Sequence, residues 1–129
     1  MIAVDTNVVV RMMVEDDSHH ARAARSLIGA NSIWVAKTVL LEIIWVLRKS
    51  YNFEAAAVHE MLETLVGLEN VRVEDEQSVE AALSLMEHGI DPADAMHLAS
   101  RPAGLPFVSF DQALVRRAKR AGASNVAAL

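Results

Sequence analysis

The sequence contains no cysteine among its 129 residues. Disulfide bonds and thiolate metal sites are therefore excluded, and a reducing compartment is the expected environment. Aromatic residues are also scarce, at 5 %, whereas 53 % of the residues are hydrophobic, with Ala, Val and Leu prominent. This composition favours a helix-rich α/β domain over a β-sandwich.

The opening stretch "MIAVDTNVVVRMMVEDD" lacks both the charged start of a signal peptide and an apolar run long enough to cross a membrane. We therefore expect a soluble, cytoplasmic protein. The chain length is close to the commonest size of a domain with a hydrophobic core, so the sequence predicts a single domain over residues 1–129.

An excess of positive charge is also missing. The formal net charge is −5 and the sequence pI is about 5.5, which argues against a general nucleic-acid coat protein. Basic residues nevertheless cluster in "DQALVRRAKR", which holds four of the twelve in the chain: Arg116, Arg117, Lys119 and Arg120. A solvated helix face and a phosphate-binding patch both explain this cluster.

Short apolar runs alternate with segments of helical periodicity along the chain. Strands are predicted over 1–4, 32–36, 71–73 and 105–110, with a fifth strand or no element in the tail 124–129. Helices are predicted from about residue 7 to 14, from about Asp17 to Ala30, and over 37–51, 52–68, 75–89, 91–101 and 111–122. Asn52 and Asp91 are the expected N-caps of two of these helices. The alternation predicts βαβ units with a parallel sheet, in which ligands bind beyond the carboxyl ends of the strands.

Four carboxylates stand out in this framework. Asp5 follows the first predicted strand, Asp111 follows the fourth, and Asp94 is the third residue after the cap in "DPAD". Each of these three is also explained as a helix-capping or helix-dipole residue. Glu42 differs, because "TVLLEIIWVLR" offers it no partner at helical spacing, and an unpaired carboxylate on an apolar face is costly. A narrow solvent-facing stripe is the other explanation for Glu42.

Considered together, the four carboxylates favour a cation site. Like charges gathered in one place repel one another, and a divalent cation removes that conflict. Ligand sets made of oxygen atoms suit Mg²⁺ or Mn²⁺. Histidines are weaker candidates: His19 and His20 are adjacent and point in different directions on a helix, and His97 is more typical of a core or supporting residue.

The stretches "MIAVDTNVVVR", "LLEIIWVLRKSY", "DPADAMHLA" and "FVSFDQAL" resemble the four acidic motifs of PIN-domain ribonucleases. The VapC-like toxins of type II toxin–antitoxin pairs are the most similar group. The resemblance covers essentially the whole chain and has the motifs in the right order. It implies a three-layer α/β PIN fold, with a short, mostly parallel sheet flanked by helices.

The resemblance also implies an activity and a site. The activity is an endoribonuclease dependent on Mg²⁺ or Mn²⁺, with an RNA substrate, an antitoxin partner and a homodimeric assembly. The metal-binding carboxylates would be Asp5, Glu42, Asp94 and Asp111. Thr6, Asn7 and Ser109 correspond to supporting polar residues, with Ser109 at a position where Thr is commoner. Asp111 corresponds to an acid that is often distant from the metal, and the basic cluster would hold flanking phosphates.

Three other readings remain open at this point. A catalytically inactive PIN-like binding module predicts a missing carboxylate, and none of the four is missing. A phosphohydrolase with an aspartyl nucleophile needs a second Asp at the position of Asn7. A receiver-like signalling domain needs paired acids after its first strand, where "VDTN" offers one.

Overall fold

The structure is a computed structural model and describes residues 1–14 and 18–129. The chain forms two compact units, Met1–Glu76 and Gln77–Leu129. Each unit is described by itself below. The assignment of residues 1–129 to one domain stays a prediction.

The first unit contains a parallel three-stranded sheet. Its strands are β1 (Ile2–Ala3), β2 (Ile33–Val35) and β3 (Val71–Val73), which pair in the order β1-β2-β3. Its helices are α1 (Thr6–Met13), α2 (His19–Ala30), α3 (Lys37–Lys49) and α4 (Ala55–Val66). Helix α1 packs against α2 and α3, and α3 packs against α4. Because neighbouring strands are parallel, the chain leaves β1, β2 and β3 at the same edge of the sheet.

The spacing of apolar residues explains how α3 lies in this unit. Its buried residues are Leu40, Ile43, Ile44 and Leu47, which are separated by the three- and four-residue intervals of one helix face. The opposite face is exposed to solvent and carries Thr38, Glu42, Trp45, Arg48 and Lys49. Glu42 therefore lies on a solvent-facing stripe, and the sequence argument that placed it unpaired on an apolar face is wrong.

The second unit contains a parallel two-stranded sheet. Its elements are α5 (Glu76–Met86), which begins at the last residue of the first unit, α6 (Pro92–Ser100), β4 (Phe107–Ser109), α7 (Gln112–Arg120) and β5 (Val126–Ala128). Helix α7 connects the two strands and buries Leu114, Val115 and Ala118. The guanidinium of Arg101 stabilises the sheet by donating hydrogen bonds to the carbonyl oxygens of Leu105, Ser124 and Asn125 at 2.6–3.0 Å.

The predicted α/β class with short parallel strands is confirmed, with seven helices among the described residues. The tail of the chain forms β5. The prediction of Asn52 as an N-cap is wrong, because α4 begins later, after Glu54, and Asn52 has a left-handed φ of 57°. The predicted helix start at Asp17 lies outside the described residues, and α2 begins after Ser18. No helix in the described part of the chain has both the length and the apolar character needed to cross a membrane.

Candidate metal centre

Asp5 is the N-cap of α1. Its Oδ1 accepts a hydrogen bond from the amide of Val8 at 3.3 Å, which satisfies a free N–H in the first turn. The side chain is exposed, and within the described residues Oδ2 accepts no hydrogen bond. Thr6 follows as a buried residue and Asn7 as an exposed one. Asp5 thus caps the helix with one oxygen, and the other has no hydrogen bond to the described residues.

Glu42 lies in the second turn of α3, with its side chain exposed. Helix α3 begins two residues after β2, and Asp5 follows β1 by two residues. Because β1 and β2 are parallel neighbours and α1 packs against α3, Asp5 and the start of α3 lie at the same edge of the first sheet. The structure therefore brings Asp5 and the helix that carries Glu42 together.

The same edge holds a cluster that the sequence analysis missed. Glu74 follows β3, and its Oε1 accepts a hydrogen bond from the amide of Lys37, the first residue of α3, at 3.0 Å. The ammonium of Lys37 lies 2.8 Å from Oδ2 of Asp75. The sequence signal for this cluster was the acidic run "EDE" directly after the third strand.

In the second unit, Asp94 is the third residue of α6 and is half-buried. The cap of α6 is Asp91, whose Oδ2 accepts from the amide of Ala93 at 3.1 Å, as the sequence predicted. Within the described residues, Asp94 makes neither a hydrogen bond through its side chain nor an ion pair, so it closes no reciprocal capping box with Asp91. Its carboxylate is available to a ligand.

Asp111 is the N-cap of α7 and follows β4 by two residues. Its Oδ1 accepts from the amide of Leu114 at 3.0 Å, and its own amide donates to Oγ of Ser109 at 3.0 Å. Ser109 thus holds the backbone that presents the Asp111 carboxylate. The family resemblance implied a supporting role for Ser109 but did not indicate this contact.

The basic residues of α7 differ in their contacts. The side chains of Arg116, Lys119 and Arg120 are exposed. Arg117 instead donates from Nη1 to the carbonyl oxygen of Gly89 at 3.1 Å. Arg117 therefore has a structural role within the second unit, and the other three basic residues face solvent.

The four predicted metal ligands are distributed over the two units, with Asp5 and Glu42 in the first and Asp94 and Asp111 in the second. Asp5, Glu42 and Asp111 are exposed, Asp94 is half-buried, and none of the four forms an ion pair within residues 1–14 and 18–129. Carboxylate oxygens without an ion pair to the described residues suit Mg²⁺ or Mn²⁺ as ligands. His19, His20 and His97 are exposed.

Short parallel strands and helices that begin at acidic N-caps define this chain as an α/β protein. The family model of the PIN domain matches residues 2–120, a range that includes all four carboxylates. The chain belongs to the PIN domain family. PIN domains are generally metal-dependent nucleases, and nucleases of this family act on RNA. A search of curated proteins found no match.

Proposed function

We propose that this protein is a metal-dependent endoribonuclease that binds Mg²⁺ or Mn²⁺ through Asp5, Glu42, Asp94 and Asp111. The observation that carries the proposal is the PIN family match, which extends over all four acids. The available oxygen atoms and the lack of ion pairs at these acids, among the described residues, support it.

The proposed site combines a bound cation, carboxylates held by hydrogen bonds, a supporting serine and a basic surface. When bound, the cation supplies a polarised water and positive charge that offsets the charge of the phosphodiester. Asp5 and Asp111 are held by their capping hydrogen bonds, so their second oxygens have a fixed direction. Ser109 restrains the backbone of Asp111. The exposed basic residues of α7 hold the phosphates on either side of the cleaved bond.

We also propose that the protein is the toxin of a toxin–antitoxin pair and acts as a homodimer. The similarity of its four motifs to VapC-like toxins supports the toxin role. The antitoxin would place a segment between α3 and α4, where Trp45 of α3 and Tyr51 of the connecting segment are exposed. A small reading frame that encodes a DNA-binding protein directly before this gene would support the pairing.

The activity is tested by cleavage of an RNA of mixed base sequence. A DNA strand of the same base sequence is the comparison substrate. We expect cleavage of RNA that stops in EDTA and returns with Mn²⁺. Glu42→Gln removes a proposed ligand from an exposed position and should reduce the rate by orders of magnitude. Glu80→Gln is the matched control, because Glu80 is an exposed helical glutamate without hydrogen bonds to described residues, and it should keep full activity.

Three results would contradict the proposal. Cleavage that persists in EDTA would exclude the metal-dependent mechanism, and equal rates for the two glutamate variants would exclude Glu42 as a ligand. Binding of RNA without cleavage under any divalent cation would instead identify an inactive binding module.

A further inference from the structure

Phe110 has the most exposed side chain of the large hydrophobic residues in the described part of the chain, at 79 %. It follows β4, in which Phe107 and Ser109 are half-buried and the alternate residue Val108 is exposed, so Phe110 continues the solvent side of the strand. The next residue, Asp111, is fixed by hydrogen bonds to Ser109 and Leu114. The ring is therefore presented at a position where the backbone is restrained.

A basic row lies on helix α7, which begins two residues after Phe110. Gln112, Arg116 and Arg120 are four residues apart and exposed, so they share one face of α7. The rise of an α-helix separates the Cα atoms of Arg116 and Arg120 by about 6 Å along the axis. The buried residues of α7 lie on the opposite face. Within residues 110–120 there are four basic residues and one acid, in a chain whose formal net charge is −5.

We propose that Phe110 is a stacking platform for an unpaired base of single-stranded RNA, and that Arg116 and Arg120 bind the phosphates of the same strand. The inference rests on the proposed function, because it assigns part of the substrate site of that ribonuclease. An aromatic ring stacks on the face of a base, and a base offers its face when it is not paired and stacked in a duplex. Exposed arginines then neutralise the backbone.

The position of Phe110 gives this contact a role in the reaction. It precedes Asp111, one of the four proposed metal ligands, by one residue in the chain. A base stacked on the ring therefore places its nucleotide beside a carboxylate of the site. The platform would position the strand without taking part in proton or phosphoryl transfer.

An apolar protein partner is the alternative occupant of this surface. Val108 and Leu105 are also exposed, at 53 % and 50 %, and a protein that covered Phe110 would bury these side chains as well. Base stacking requires the ring of Phe110 and a cationic surface for the backbone. The basic row on α7 favours the RNA, since it matches the charge of a phosphate backbone.

The experiment measures fluorescence anisotropy of a labelled single-stranded RNA. A length of about 12 nucleotides is within the range that single-strand-binding domains cover. EDTA is present, so that no cleavage occurs. Phe110→Ala should weaken binding roughly five- to a hundredfold, and Phe110→Leu nearly as much, because leucine is apolar but cannot stack. Phe110→Trp should retain wild-type affinity or exceed it. Val108→Ala is the control with an unchanged affinity.

Two further comparisons isolate the stacking and the charge. An abasic strand of the same length should bind wild type and Phe110→Ala equally, since it offers no base to the ring. Arg116→Gln and Arg120→Gln should each reduce the slope of log affinity against log salt by about 0.7. Arg48→Gln, an exposed arginine of the first unit, should leave this slope unchanged.

The results separate the inference from the function on which it rests. Equal affinity of Phe110→Ala and wild type for the normal strand would overturn the stacking platform while RNA cleavage still stood. A Phe110→Leu variant as tight as wild type would also overturn it, and a change of oligomeric state in Phe110→Ala would identify a protein interface instead. If RNA binds tightly through Phe110 but is not cleaved in Mn²⁺, the proposed ribonuclease activity is wrong and the stacking role of Phe110 stands. No binding of RNA by wild type in EDTA would overturn the platform, whereas no cleavage in Mn²⁺ would overturn the ribonuclease.

Discussion

Asp5 and Asp111 make the same kind of contact in the two units. Each accepts a backbone N–H through Oδ1, from Val8 and Leu114 respectively, and so begins a helix. From the sequence, a cap and a metal ligand look like competing explanations for such residues. The contacts show that they are compatible, because a carboxylate has two oxygens and capping uses one of them.

Asp94 provides the sharpest test at a single residue. Asp94→Asn keeps the shape and removes one charge, so activity should fall by orders of magnitude because a ligand is lost. The free energy of unfolding without metal should stay level or rise by roughly 0.5–2 kcal/mol, the usual range when strain at a functional site is released. Mg²⁺ should raise the Tm of the wild type much more than that of the variant.

Asp91 is the control in the same helix. Asp91→Ala removes the hydrogen bond to Ala93 and should cost about 1 kcal/mol of stability, with an undiminished response to Mg²⁺. Thermal melts of the three proteins in EDTA and in Mg²⁺ measure both effects. Equal Mg²⁺ shifts in wild type and Asp94→Asn would remove Asp94 from the metal site.

Glu42 shows what sequence reasoning can and cannot supply for one side chain. The apolar residues around it predict a buried helix face correctly, and Leu40, Ile43 and Leu47 are buried. The orientation of Glu42 follows from the same periodicity, which places it with Trp45 on the solvent side. The sequence did not reveal this orientation, because the exposed face of the helix also carries a large apolar residue. Trp45 is 60 % exposed, although tryptophan is typical of a core or an interface.

At the scale of elements, the start of α3 depends on a distant residue. Its N-cap position is Ala36, which has no polar side chain, and Glu74 accepts from the Lys37 amide across 37 positions of the chain. A sequence search for caps examines neighbouring residues, so it finds Asp91 and misses Glu74. It also misassigned Asn52, because asparagine favours both caps and the left-handed backbone region that Asn52 adopts.

We predict that Glu74→Ala destabilises the protein by about 1 kcal/mol, the typical cost of a lost N-cap. Glu74→Gln should retain most of this stability, because an amide oxygen can still accept the hydrogen bond. Urea unfolding measures the free energies, and hydrogen exchange at the Lys37 amide should accelerate in the alanine variant. Glu69→Ala, an exposed glutamate before the same strand, should change neither quantity. Unchanged exchange at Lys37 in Glu74→Ala would contradict the remote cap.

At the scale of the whole molecule, the alternation of strands and helices was enough to predict parallel pairing. The pattern predicted one sheet, whereas the described strands form a sheet of three and a sheet of two. The prediction that the helices over 37–68 leave apolar residues uncovered was correct in part. Leu62 and Leu65 are buried, whereas Trp45 and Tyr51 are exposed. Periodicity identifies the core face, but the burial of a side chain on the other face depends on tertiary packing and assembly that the pattern does not contain.

The exposed Trp45 supports the predicted homodimer. Light scattering at tens of micromolar should give a dimer for the wild type, an order-of-magnitude test because assembly depends on protomer concentration. Trp45→Glu should give a folded monomer, since a charge in an apolar interface is costly. Leu105→Glu, at an exposed apolar position of the second unit, should remain a dimer. A monomeric wild type would contradict the prediction.

The shared use of Asp5 and Asp111 for capping also bears on how such a protein can evolve. Asparagine caps helices about as well as aspartate, and the codons of the two differ by a single base. One point mutation at either position can therefore remove a proposed metal-binding carboxylate while the helix start and the fold persist. Loss of the proposed catalysis is thus a short genetic step from this sequence, and a lineage that took it would retain a stable scaffold on which selection could act for binding alone.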